Sequence, residues 1–252
     1  MLIMAKNKVG SDALAGVQTP EATHSHTPIP HHNLVKLTRE AIGRAGLEIK
    51  EEEHALARGG LRYFGGFALT GEDIKGDDRN IVLGLRNAHD KSFAASIAVG
   101  NQMLVCENLC FSSDVKLARR HTTNILKDLP HVLSKAVSKV TSHWADMSKR
   151  IEVYKETEVT SAPDLLAELA YAKAIPDSKV MPMIREFDSP RHEEFKGGSL
   201  WTLYNSVTEL LKGGDISKLA DRTMCMQSVF DKFAGHRPAV ISEEDKALAL
   251  PA

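Results

Sequence analysis

Apolar residues recur along this chain at two different periods, and the change of period divides it. Between 33 and 46 the run NLVKLTREAIGRAG carries Leu34, Leu37 and Ile42 at near-helical spacing, with Gly46 as a stop. A helix is therefore predicted over 33–45, entered through the extended backbone that Pro28 and Pro30 impose. The period then shortens. LEIKEEEHAL (47–56) and LRYFGGFALTG (61–71) read as strands joined by the turn residues Gly59 and Gly60, and GEDIKGDDRN is a polar hairpin connection. IVLGLRNAHD (81–90) and SFAASIAVGN (92–101) are the third and fourth strands, and QMLVCENLCF (102–111) is the fifth, after a Gly100-Asn101 turn.

From about 114 the helical period returns. Leu117, Ile125, Leu129, Val132, Leu133, Val137, Val140, Trp144, Met147 and Ile151 predict a long amphipathic helix pair, with Pro130 as its one kink. Beyond Pro163, shorter helices are expected at 163–173, 199–212 and 216–234. A meander has one apolar face to bury, and helices gathered on one side can bury it. The expected fold class is α+β: an antiparallel β-meander packed against a long amphipathic helix, with a helical C-terminal region. The expected divisions are a flexible N-terminal arm at 1–27, an α+β core at 28–160, the helical region at 161–234 and a flexible tail at 235–252.

Composition narrows the class. With 252 residues, 42% hydrophobic and 26% charged, the chain can bury a substantial core. No apolar run approaches the roughly 18 residues of a membrane span, and the opening segment lacks a signal core. Cys106, Cys110 and Cys225 form no disulfide framework. A soluble protein of the bacterial cytoplasm, without membrane contact, is the expectation. A formal charge of −1 excludes a generic polyanion binder, so any nucleic-acid role must rest on local asymmetry. Such asymmetry exists: eight Lys or Arg stand against two Asp from Lys116 to Arg150, whereas EIKEEE (48–53) and EDIKGDD (72–78) are acidic.

Candidate chemistry falls in the middle of the chain. Asn87, His89, Asp90 and Lys91 put an amide, an imidazole, a carboxylate and an amine in one connection. Neighbours on a strand face opposite ways, so a His89-Asp90 dyad is disfavoured and a solvated turn is the simpler reading. Arg62, Arg79, Arg86 and Lys91 lie in or beside the strands, and Lys116, Arg119 and Arg120 crowd the expected helix start next to His121. With Tyr63, Phe64 and Phe93 nearby they have the mix of phosphate neutralisation and base stacking used by single-strand binders. Positive charge at a helix N-terminus opposes the macrodipole, which sets Arg119-Arg120 apart from ordinary solvated charge.

His24, His26, His31 and His32 cluster in THSHTPIPHHN without a carboxylate or Cys to complete a metal site. Cys106 and Cys110 read as small buried hydrophobes, and Glu72, Asp73, Asp77 and Asp78 as a turn. In SLWTLYNSVTELLKG, Trp201 can face either the core or a partner. Phosphate-loop, GxGxxG, HExxH and GxSxG motifs are missing, so no cofactor, metal or catalytic residue is assigned.

PIPHHNLV, LRYFG, VLGLRNAHDKSFAASIAVGNQMLVCENL, LARRHT and SLWTLYNSVTELLKG together resemble the phage and plasmid family catalogued as domain of unknown function 932. The likeness runs from about Pro28 to Phe233 and implies a mobile-element origin, but it transfers no active site. The order of a helix, a meander and a long crossing helix is also similar to the core of single-strand annealing recombinases, a fold-level analogy. The reading these observations favour is a non-enzymatic, oligomeric (ring or filament) single-stranded DNA binding or annealing protein acting in recombination or replication. In it Arg62, Arg86, Lys91, Lys116, Arg119 and Arg120 meet phosphate and Tyr63 or Phe64 stacks on bases. The alternatives are an interaction factor that antagonises a host defence or replication protein, and a metal-dependent nuclease using His89, Asp90 and the acidic loop.

Overall fold

Among the described residues, six strands form one antiparallel sheet in the order of the chain, flanked by eight α-helices. The computed structural model describes residues 7–74, 76, 78–104, 109–212 and 216–235, with backbone alone at 112–115, 216 and 217. Cys106, Asp77 and the expected tail from 236 to 252 lie outside the described residues.

The strands are β1 (Lys8–Val9), β2 (Glu48–Ala57), β3 (Arg62–Thr70), β4 (Arg79–Ala88), β5 (Ala95–Met103) and β6 (Leu109–Arg119). Alternation assigns each side chain to a face. Tyr63, Phe67, Leu69, Ile81, Leu83, Leu85, Ile97, Val99 and Leu117 point one way and form the main core. That face is covered by α2 (His31–Arg44) and α3 (Ile125–Ser138). Buried Leu34, Val35, Thr38, Ala41 and Ile42 make the inner stripe of α2, and Gly46, at φ 73°, turns the chain into β2. The opposite face is thin, with Ala68, Val82, Ala98 and Phe111 beneath Met224 of α8 (Ile216–Phe233).

Three expectations are corrected. Gly100-Asn101 is not a turn: both residues pair within β5, opposite Phe111 and Cys110. The glycine is needed for close approach, because a Cβ there would stand 2.9 Å from the Phe111 Cα and overlap the Cys110 carbonyl. The segment at 114–121 is not a helix start. Ala98↔Lys116, Ile97↔Leu117 and Ala95↔Arg119 pair in β6, and α3 begins only at Ile125. The macrodipole reading of Arg119-Arg120 therefore falls, because the two residues lie at the end of a paired strand and not in the first turn of a helix. Residues 7–27, expected as a flexible arm, are packed: β1 extends the sheet, Leu14 of α1 (Ser11–Ala15) is fully buried, and the Thr27 amide donates to the His121 carbonyl at 2.9 Å.

The helix pair is α3 and α4 (Val140–Glu156), and α3 continues through Pro130. The C-terminal helices are α5 (Ala162–Tyr171), α6 (Val180–Asp188), α7 (Leu200–Leu211) and α8, with α6 unanticipated. They share a second core with Met147, Ile151 and Tyr154 of α4. Trp201 belongs to it: only 8% exposed and stacked on Tyr204 at 5.5 Å, it is a core residue of α7. Arg150 of α4 is 1% exposed and donates from Nε to Asp231 of α8 (2.9 Å), which also accepts from the Tyr154 hydroxyl at 2.7 Å. Thr223 of α8 accepts the outward Phe111 amide of β6 at 3.0 Å, which occupies part of an otherwise open sheet edge. No helix among the described residues is long and apolar enough to cross a membrane.

Candidate nucleic-acid interface

A meander sends alternate connections to opposite ends of the sheet, and this one sorts them by charge. At one end lie the β2–β3 turn with Arg58, the start of β3 with Arg62, the β4–β5 connection with Lys91, and the end of β6 with Arg119 and Arg120. At the other end lies the β3–β4 connection with Glu72, Asp73 and Asp78. The fold thus turns a segregation along the chain into one across the molecule.

Beneath the basic end is a polar network that a sheet does not need. Asn87, fully buried on β4, is its hub. Its Nδ2 donates to the Ile29 carbonyl (2.7 Å) and to His31 Nδ1 (2.9 Å), and its Oδ1 accepts from His121 Nε2 (2.7 Å). His31, the first residue of α2, then donates from Nε2 to the Gly60 carbonyl (2.9 Å) of the β2–β3 turn. His89 donates from Nε2 to the same Ile29 carbonyl (2.9 Å) and stacks on His31 with ring centroids 4.0 Å apart and planes 5° apart. His26 lies 5.1 Å from His121, ring to ring. The buried nitrogens His89 Nδ1 and His26 Nε2 have no hydrogen-bond partner among the described residues.

These bonds set the ring orientations: His31, His89 and His121 each present an Nε2 proton to an oxygen, and His31, whose Nδ1 accepts from Asn87, is neutral. Burial, only partly opposed by the Gly60 carbonyl, brings the His31 pKa down to about 4, with His89 and His32 lowering it further. Burial does the same to His121, aided by His26, His89 and His31. Burial and the Lys91 ammonium both lower His26. A neighbouring chain of contacts joins Tyr63, whose hydroxyl meets His54 Nδ1 at 3.0 Å, to Glu52 and Arg39. Among the described residues no group of three or more His, Cys, Asp or Glu is placed to hold a metal ion. His24 and His32 are exposed, so the four clustered histidines of the sequence are divided between the network and the surface.

The anticipated binding residues have different fates. Tyr63 is a correction: it points into the main core with 0% exposure, so its ring offers no face to a base, and burial raises its pKa. Phe64 points to the opposite face but is also buried, 5.7 Å from the Phe93 ring. Phe93, half-buried in the β4–β5 connection, is the aromatic residue nearest the surface here, with the guanidinium carbons of Arg86 and Arg62 at 5.2 and 5.8 Å from its ring centre.

Arg62 donates to Asp90 Oδ2 at 2.7 Å, whose other oxygen accepts from the amide (3.1 Å) and hydroxyl (2.5 Å) of Ser92. Asp90 therefore organises the connection and leaves Lys91, at φ 61°, exposed. Arg86 and Lys116 share the thin sheet face and both reach Asp221 of α8, at 3.3 and 2.6 Å. Arg119, on the core face, is held by Asp128 of α3 at 2.6 Å. Lys91 and Arg120 are exposed and have no ion pair among the described residues. The convergence of His31, Asn87, His89 and His121 was not anticipated. Its only trace in the sequence is that PIPHHN, LRNAHD and ARRH each carry polar residues next to apolar ones that already satisfy the fold.

The family model described as "Domain of unknown function (DUF932)" matches residues 22–229. That span holds every member of the network. No curated protein and no solved structure matches the chain.

Proposed function

We propose that this chain, which belongs to the domain-of-unknown-function family DUF932, binds single-stranded DNA at the basic end of its sheet. The observation that carries the reading is the charge polarity of the sheet. Arg58, Arg62, Lys91, Arg119 and Arg120 lie at one end, where half-buried Phe93 sits beside Arg62, Lys91 and Arg120, while Glu72, Asp73 and Asp78, the last paired with Arg79, occupy the far end. A chain of formal charge −1 can then attract a polyanion to one end and repel it from the other. Cations beside an aromatic ring are the elements from which strand grooves are built, because phosphates are neutralised while bases stack without regard to sequence. The buried network supports this function indirectly, since it ties α2, the β2–β3 turn, β4 and the end of β6 into one rigid platform. In a phage or plasmid, the setting the family resemblance implies, such binding would serve replication or recombination.

The test is fluorescence anisotropy with a labelled single-stranded oligonucleotide across a salt titration. Binding at low salt that weakens as salt rises is expected. Replacing Lys91 and Arg120 together by Ala should reduce the log–log slope by roughly 1.4, at about 0.7 per phosphate contact on a single strand. No binding at low salt, or binding indifferent to salt, refutes the reading. Light scattering with and without a long strand separates an annealing protein, whose assembly grows on DNA, from a monomeric binder.

A further inference from the structure

Beside Phe93, the basic end opens into a groove of about 730 Å³ between the β4–β5 connection and the segment that follows β6. Its lining has an unusual chemical balance. Lys91 and Arg120 supply two positive charges, and Ser25, Ser92 and Thr122 supply hydroxyls. Two carboxylates from neighbouring segments are engaged by other groups. Asp90 is engaged by Arg62 and Ser92, and Asp128 by Arg119. His26 and His121 stand at the inner wall as neutral imidazoles, and the Phe93 ring closes one side. An uncompensated pair of cations needs an anion, the hydroxyls suit phosphate or sugar oxygens, and the aromatic wall suits a planar ring.

Other concave places fit less well. The cleft under α8 is apolar, and its cation Arg86 is already met by Asp221. The small cavity bordered by Met147, Trp201 and Tyr204 carries no charge.

We propose that the groove seats a single nucleotide unit of the bound strand, its phosphate between Lys91 and Arg120 and its base against Phe93. The proposal rests on the single-strand reading and deepens it. It moves the contact from the broad sheet face to one pocket, so a free 5′-mononucleotide should occupy the same place. Loop backbone prepares the site: the left-handed conformation of Lys91, fixed by the Asp90–Ser92 turn, aims this side chain outward before any ligand arrives.

The full chain is titrated with thymidine 5′-monophosphate, thymidine and inorganic phosphate by isothermal calorimetry at low salt, alongside the labelled oligonucleotide. The monophosphate is expected to bind, the nucleoside much more weakly. Lys91→Met with Arg120→Met should weaken the monophosphate by at least about tenfold, as loss of two charge-assisted contacts requires. Phe93→Leu should weaken the monophosphate while leaving inorganic phosphate unchanged. Circular dichroism confirms that each variant is folded. An oligonucleotide that binds while the monophosphate does not overturns the groove and leaves the single-strand reading standing. Failure of both ligands removes both, and monophosphate binding that survives the double substitution overturns the location. Binding of the monophosphate without the oligonucleotide keeps the groove and removes the strand.

Discussion

Lowering the pH from 7 to 5 should destabilise this fold through its buried imidazoles, and the size of the effect can be worked out. His31 and His121 are 1% and 5% exposed, and both have pKa values of about 4 in the fold against the ordinary 6.5. Each is neutral when folded and becomes protonated when unfolded below pH 6.5. The unfolded chain then binds more protons, so the stability these groups contribute is complete above pH 6.5 and is lost progressively as the pH falls towards 4. At pH 5 the loss is about 2 kcal/mol for each residue, or about 4 kcal/mol for the two. Geometry gives the same sign for His31. A proton on its Nδ1 would face the Asn87 Nδ2 hydrogens, placing donor against donor. Lys91, His26 and His89 add like charge or imidazole around the cluster, whereas Glu52 acts on His54. The lowered carboxyls of Glu52, Asp90, Glu186 and Asp221 take up protons only below their ordinary values of 3.8 to 4.5, so pH 7 to 5 isolates the histidines. Urea titrations read the change as a midpoint shift of roughly 1–2 M for a slope of about 2–3 kcal/mol/M. His26 and His54, also lowered chiefly by burial, add to the same trend, so His31→Gln should remove about 2 kcal/mol of the drop rather than all of it. A midpoint that is flat from pH 7 to 5, or a variant with the full drop, would refute the argument.

Other consequences can be checked singly. Asp221→Asn releases Arg86 and Lys116, so oligonucleotide affinity at low salt should rise severalfold in anisotropy, at a stability cost below about 1 kcal/mol because Asp221 is half-exposed; unchanged affinity would show that these cations do not meet the strand. Asp231→Ala removes the buried carboxylate that accepts from Arg150 Nε and the Tyr154 hydroxyl and should cost about 3–5 kcal/mol in urea denaturation, whereas a loss under 1 kcal/mol would contradict the burial argument. Gly84→Ala puts a methyl into the Phe111 ring and should destabilise by about 1–3 kcal/mol, with an unchanged melting temperature as the opposing result. Tyr63→Phe removes the contact with His54 for about 1 kcal/mol and should leave DNA affinity as it was; weakened binding would restore Tyr63 to the interface.

Much of the architecture was legible because its signals are local. The α2 stripe, the period-2 runs of β2 to β4 and the helical spacing from Ile125 onward all report which side of an element faces the core. Misreading began where a local signal had two meanings. Gly100 beside Asn101 has the composition of a turn, yet the glycine serves the close passage of Cys110 and Phe111 from β6. Lys116 to His121 holds only Leu117 and Ala118 as apolar residues, too few to distinguish a strand from a helix start, and its pairing with β5 decides the matter. Tyr63 and Phe64 are adjacent and both aromatic, but alternation sends them to opposite faces, and neither is open.

By itself, the sequence determined a meander followed by amphipathic helices, a near-neutral chain with segregated charge, and the presence of unneeded polar residues at three places along it. Only the tertiary structure decided that His31, Asn87, His89 and His121 meet, that Asp221 lies more than a hundred residues away from the cations it neutralises, and that Lys91 and Arg120 are exposed. Periodicity reports the direction of a side chain relative to its own element, and that is fixed by backbone geometry over a few residues. Partners across the sheet and from α8 depend on register and packing between distant segments, and no local pattern carries that information.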